Sequence, residues 1–134
     1  MKYNGIIENK LRVMEEKLSD IDEWQISSFD TLRQSSMLQN ATERALQVII
    51  EASIDICERI LAQEGISATK TSSDSLLEVI SLGVISNNPD YFDMIRFRNF
   101  IVHRYEKIDL EIIYAILKNK LPVFRNFIHE IRNS

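Results

Sequence analysis

Apolar positions along this chain recur at spacings of three and four, the period of an amphipathic helix, and not at the spacing of two that marks a half-buried strand. The first such run starts near Asn4 and carries Ile6, Leu11, Val13, Met14, Leu18 and Ile21, which leaves Glu8, Lys10, Glu15, Glu16 and Lys17 as a solvated face. From Ser27 to Asn40 the periodicity weakens, and the Ser, Asp and Thr residues suit caps and turns around one short helix. A long helix of about eight turns follows, from near Ser35 to Gln63. It carries two apolar stripes: Leu38, Ala41, Ala45, Val48, Ala52 and Ile56 on one side, and Leu46, Ile50, Ile54, Cys57 and Leu61 on the other. A helix apolar on two sides needs cover on two sides, which a second copy of the protein would complete; the plainer alternative makes it the central helix of a monomer.

Gly65 ends the long helix, since glycine takes the left-handed conformation without strain, and Ser67 to Ser73 form a loop. Caps within Thr71 to Asp74 start a short helix through Leu76, Leu77, Val79, Ile80 and Leu82, which Gly83 stops. Asn88-Pro89 is a restart signal, an N-cap amide followed by proline at the first helical position. Asp109 caps a final helix through Ile112, Ile113, Ala115, Ile116 and Leu117, which Pro122 kinks or splits before Val123, Phe124, Phe127, Ile128 and Ile131 complete its apolar face.

Composition narrows the picture. The 134 residues fit one domain spanning 1–134, and 45% apolar residues supply a core. Three glycines and two prolines are too few for the tight turns of a β-sandwich, so the fold class is all-α: an antiparallel bundle of four to five main helices plus a short one. The single Cys57 excludes an intramolecular disulfide and a cysteine metal cluster and is assigned to packing. Nothing near Met1 resembles a signal peptide, and no apolar run approaches the roughly 20 residues that span a bilayer. A cytoplasmic protein with no membrane partner is expected.

Charge picks out one stretch. The chain carries a net −4, yet residues 96–107 hold Arg96, Arg98, Arg104 and Lys107 against Glu106, a local +3, with His103 among them. Arginine offers a planar fork of donors to phosphate oxygens and histidine moves a proton near neutral pH, so the island suits a phosphate. With about 100° between successive residues, Arg98, Val102 and Tyr105 share a face, whereas His103 lies roughly 140° from Arg98 and lines up with Asn99 and Arg96. One straight helix does not bring Arg98 and His103 together; either the chain bends near His103 or a second protomer completes the site.

The run Arg98-Asn99-Phe100-Ile101-Val102-His103-Arg104-Tyr105 resembles the R-x4-H-x-Y signature of the HepT-type HEPN ribonuclease toxins. The order of the surrounding parts is similar too: the long helix containing residues 45–56, Glu64-Gly65, the short helix ending Gly83-Val84-Ile85-Ser86, and Ile108-Asp109 opening the last helix. The resemblance implies a HEPN-type bundle that forms a homodimer, with a composite cleft built from two facing motifs. It implies metal-independent cleavage of RNA, in which the neighbouring 2′-hydroxyl attacks the phosphodiester and the 5′-oxygen leaves, with no cofactor and no bound metal.

Within that reaction His103 is the base or acid, two copies in a dimer dividing the roles, and Arg98 binds the phosphate and stabilises charge in the transition state. Asn99, four positions from His103, orients it. Arg96 and Arg104 hold flanking phosphates, a contact blind to sequence and weakened by salt. Single-stranded RNA is the expected substrate, because a flexible chain enters a cleft that a duplex cannot. Tyr105 corresponds to the tyrosine that a partner nucleotidyltransferase antitoxin of the MntA type modifies with AMP, which would place an anionic nucleotide beside the basic cleft and switch the enzyme off.

Each residue also has a plainer reading. His103 suits a surface or interface, Arg98 a carboxylate partner, and Tyr105 a structural hydrogen bond. Phe97, Phe100, Ile101 and Val102 read as core in preference to stacking platforms for bases, and His129 as solvated. The acidic groups Glu15-Glu16 and Asp20, Asp22, Glu23 read as a solvated face, since no histidine joins them at a metal-site spacing. The alternative function is a non-catalytic subunit that binds nucleotide or substrate for a minimal nucleotidyltransferase. A purely structural helical dimer would leave the basic island without a purpose.

Overall fold

The described residues form seven helices and no strand. The structure, a computed structural model, describes residues 5–102 and 109–134. In order they are α1 (Gly5–Trp24), α2 (Phe29–Arg33), α3 (Ser36–Gln63), α4 (Ser72–Ser81), α5 (Asp90–Val102), α6 (Leu110–Asn119) and α7 (Leu121–Arg132). None of the described helices is long and apolar enough to cross a membrane.

Local chemistry sets the boundaries. The hydroxyls of Ser28, Ser35 and Thr71 accept from the amides of Thr31, Leu38 and Asp74 at 3.2, 3.1 and 3.0 Å, so α2, α3 and α4 all start on the side-chain caps that helix ends require. The Asp109 carboxylate accepts from the Glu111 amide at 3.0 Å and opens α6. At the far end of α3, Gly65 adopts φ +73°, and the Ile66 amide reaches back to the Leu61 carbonyl at 2.9 Å, closing the helix in a Schellman turn. Gly83, at φ +76°, ends α4 likewise. Pro122 splits the C-terminal run: Lys120 is the C-cap of α6 and the N-cap of α7.

Ion pairs give the helix directions. Lys10, early in α1, pairs with Asp55, late in α3, at 2.5 Å, so these two helices run antiparallel. Arg132 at the end of α7 meets Glu8 and Glu15 at 2.8 and 2.7 Å, while Arg125, earlier in α7, meets Asp22 near the end of α1 at 2.8 Å, so α7 is antiparallel to α1 as well. Glu8, Lys10 and Glu15 therefore do more than face solvent: they link α1 to its two neighbours.

The core shows where simple periodicity misplaces side chains. On α1 the buried residues are Ile7, Leu11, Met14, Leu18 and Ile21, a clean alternation of four and three, and Ile6 and Val13 fall off that stripe with 48% and 37% exposure. On α3 the two expected stripes merge into one broad buried face of Thr42, Ala45, Leu46, Ile49, Ile50, Ser53, Ile56, Cys57, Ile60 and Leu61. Ile49 and Ile60, on neither expected stripe, lie at its centre; Leu38, Ala41, Val48, Ala52 and Ile54 flank it half-buried. Helix α1 makes the most extensive packing against this face, and α4 and α5 cover its far edge. Leu77 on α4, Leu82 at its C-cap and Ala115 on α6 are exposed, whereas Val123, Phe124, Phe127, Ile128 and Ile131 are all buried on α7.

Candidate functional site

The basic stretch begins on α5, and the residues before it hold that helix in place. The Asn88 side chain accepts from the Asp90 amide at 3.0 Å, so the Asn-Pro pair starts α5 where the sequence signals it. In the first turn of α5, Tyr91 is buried, packs edge-on against Phe127 with ring centroids 5.9 Å apart, and donates its phenolic proton to the Glu130 carboxylate. Burial of the ring, and then the bond to Glu130, push the Tyr91 phenol well above its ordinary pKa. The same carboxylate accepts from the amide and hydroxyl of Ser86 at 3.3 and 3.2 Å, which ties the segment preceding α5 to α7. Lys120, at the α6–α7 junction, reaches Asp93 at 3.4 Å and Asp90 at 3.8 Å. Neither Tyr91 nor Glu130 carries a sequence motif; a Tyr and a Glu 39 positions apart give no local signal of their pairing.

From this anchored start α5 presents its residues in two directions. Met94 and Ile101 point into the core. Arg96 and Asn99 are exposed, and Arg96 pairs with Asp93 one turn earlier at 3.3 Å. Arg98 is half-buried and turned toward α4, where its Nη1 donates to the Ser72 hydroxyl at 3.5 Å. No carboxylate among the described residues pairs with Arg98, so the plainer reading of a carboxylate partner finds no support among them, and the partner described is a neutral hydroxyl. Arg98 and the Arg96–Asn99 pair thus occupy different faces of one helix, as the 3.6-residue period requires.

Phe97 and Ile101 pack as core, but Phe100 is 48% exposed and stands on the surface. Its reading as a core residue is corrected: the core-facing side of α5 is already taken by Tyr91, Met94 and Ile101, and Phe100 lies away from that line. His103, Arg104 and Tyr105 lie outside the described residues, as does the side chain of Val102. His129 is exposed on α7, and Cys57 is buried with its thiol pushed up to about 12 by burial and, secondarily, by Glu58. Asp20 and Asp22 are engaged by Lys17 at 3.7 Å and Arg125 at 2.8 Å. A cleft of about 340 Å³ between the C-terminal part of α3 and α4, lined by Glu58, Leu61, Ile66, Thr69 and Ser75, includes none of the described motif residues.

The described helices form an antiparallel bundle, and that fold is shared with solved HEPN toxin structures. The solved structure of the tri-AMPylated Shewanella oneidensis HEPN toxin in complex with MNT antitoxin matches with a TM-score of 0.86 and 26% identity, over 98% of this chain and 100% of that one. In sequence, the chain is 27% identical to the mRNA nuclease HepT of Shewanella oneidensis over 131 residues, which is 96% of this chain and 98% of the relative. It is 26% identical to the tRNA nuclease HepT of Aphanizomenon flos-aquae over 132 residues, covering 96% and 88%. Residues 14–131 match the family described as Ribonuclease HepT-like, and the chain belongs to that family.

Proposed function

We propose that this chain is a metal-independent endoribonuclease, the toxin of a toxin–antitoxin pair, which works in the cytoplasm as a homodimer with the motifs of two protomers facing one cleft. The observation that carries the reading is Arg98: a half-buried arginine whose described partner is a neutral hydroxyl retains its charge and most of its donors for a phosphate. In this reaction the 2′-oxygen of single-stranded RNA attacks the adjacent phosphorus while one His103 takes its proton. The bond to the 5′-oxygen breaks as the second His103 delivers a proton to it. Arg98 stabilises the charge that gathers on the phosphoryl oxygens. Asn99 orients His103, and Arg96 and Arg104 hold neighbouring phosphates. A partner nucleotidyltransferase of the MntA type silences the enzyme by attaching AMP to Tyr105. The nuclease names of the relatives and the AMPylated, antitoxin-bound state of the Shewanella toxin support this assignment.

The test is cleavage of a labelled single-stranded RNA in the presence of EDTA by protein made without its partner, comparing the native chain with Arg98→Ala and His103→Ala at matched dimer content. Cleavage that survives the chelator and is lost in both variants is expected. Equal products from all three place the activity elsewhere, and an inactive, unmodified native dimer points to a binding subunit instead.

A further inference from the structure

We infer that Ser72 is a positioning residue for Arg98, an assignment that rests on the ribonuclease reading. The Thr71 hydroxyl accepts from the Asp74 amide at 3.0 Å, which fixes the first turn of α4 and Ser72 with it. That turn lies level with Arg98, and the Ser72 hydroxyl accepts from Nη1 at 3.5 Å. Below the contact, Ser72 shares a narrow crevice with Ile54, Cys57, Leu76, Met94 and Ile95, a mainly apolar floor. The Ser72 hydroxyl is thus the described side-chain partner toward which the Arg98 guanidinium is turned.

The chemistry of that partner matters. A carboxylate would hold the guanidinium more firmly and reduce the charge it can offer a phosphate. A serine hydroxyl engages one nitrogen, leaves the charge intact and leaves the other N–H groups free to turn to a ligand. Orientation without neutralisation is what an arginine acting on a transition state needs.

Three substitutions separate this role from packing. Ser72→Ala removes the acceptor, Ser72→Thr restores a hydroxyl, and Ser72→Asp introduces a carboxylate where the helix dipole favours one. We expect Ser72→Ala to lower kcat about tenfold, the scale of one hydrogen bond to a charged group, with KM little changed, and Ser72→Thr to recover most of that loss. Ser72→Asp should unfold no earlier than the native chain yet bind a non-cleavable 2′-O-methyl RNA about tenfold more weakly, because it pairs with Arg98. A second readout needs no cleavage: the guanidinium ¹⁵N signals of Arg98, assigned by their loss in Arg98→Lys, should shift in Ser72→Ala and return toward native in Ser72→Thr. Native kinetics in both Ser72→Ala and Ser72→Asp, or unmoved Arg98 signals in Ser72→Ala, overturn the assignment. A native protein that cleaves nothing sinks the ribonuclease reading alone, and the Arg98 signals then decide the role of Ser72.

Discussion

The phenol of Tyr91 donates to the carboxylate of Glu130, joining the first turn of α5 to the last turns of α7. Because Glu130 also holds Ser86, one acidic side chain fixes where α5 begins, and through it the register of everything α5 carries. Tyr91→Phe keeps the ring packed on Phe127 and removes only the donor. A loss of about 1–2 kcal/mol in unfolding free energy is expected, measured by urea titration.

The same pair makes stability sensitive to alkali. The Tyr91 phenol is raised in the folded protein, chiefly by burial, so above about pH 10 the unfolded chain releases its proton first and the folded state holds more. Stability contributed by this group is whole below the unfolded pKa and falls as pH rises beyond it. The native chain should weaken more steeply than Tyr91→Phe over that range, and equal slopes would contradict the assignment.

Acid acts through a different group. The hydrogen bond from Arg132 holds the Glu15 carboxyl below its ordinary value, so at low pH the unfolded chain binds a proton that the folded one resists. That contribution is present above about pH 4.3 and disappears as pH falls through the lower folded value. Glu15 and Arg132 are both partly solvated, so the effect stays below about 1 kcal/mol. Glu15→Gln should flatten the acid limb of the stability curve by that amount, and high salt should shrink the difference.

Cys57 should be inert in the folded protein. Its side chain is buried and its thiol is pushed up to about 12, so almost no thiolate forms near neutrality. Ellman's reagent is expected to react only after denaturant is added; rapid labelling of the native chain would show that α3 opens.

Gly65→Ala isolates a backbone cost. The glycine sits at φ +73° and an added Cβ meets nothing within 4 Å, so only the left-handed conformation opposes the change. A destabilisation of about 1 kcal/mol is expected by thermal unfolding.

Helix boundaries were legible because they depend on neighbours in sequence: Ser35, Gly65, Thr71, Asn88-Pro89 and Pro122 each act within a turn or two of where they stand. Burial was legible only in part. Ile6 and Ile7 have the same hydrophobicity, and which of them is buried depends on how α1 is rotated against α3, a relation between segments far apart in sequence. Ile49 and Ile60 fall on neither expected stripe for the same reason: the buried arc of α3 is set by how many helices lie over it. At the site, the separation of Arg98 from Arg96 and Asn99 follows from helical period alone. The neighbour of Arg98 did not: Ser72 reads as a capping residue until α4 is laid beside α5.

The ion pairs around the beginning of α5 have an electrical consequence. Asp90 and Asp93 contribute two negative charges, and Lys120 and Arg96 supply two positive ones within salt-bridge reach. Seen from a distance this group is close to a neutral multipole whose field dies away quickly, while Arg98, beyond it on the helix, remains a monopole. A polyanion approaching the start of α5 would meet acidic groups that already have cationic partners, and beyond them an arginine with no carboxylate partner among the described residues. In an acidic protein, local cancellation of this kind lets a single arginine be felt at all.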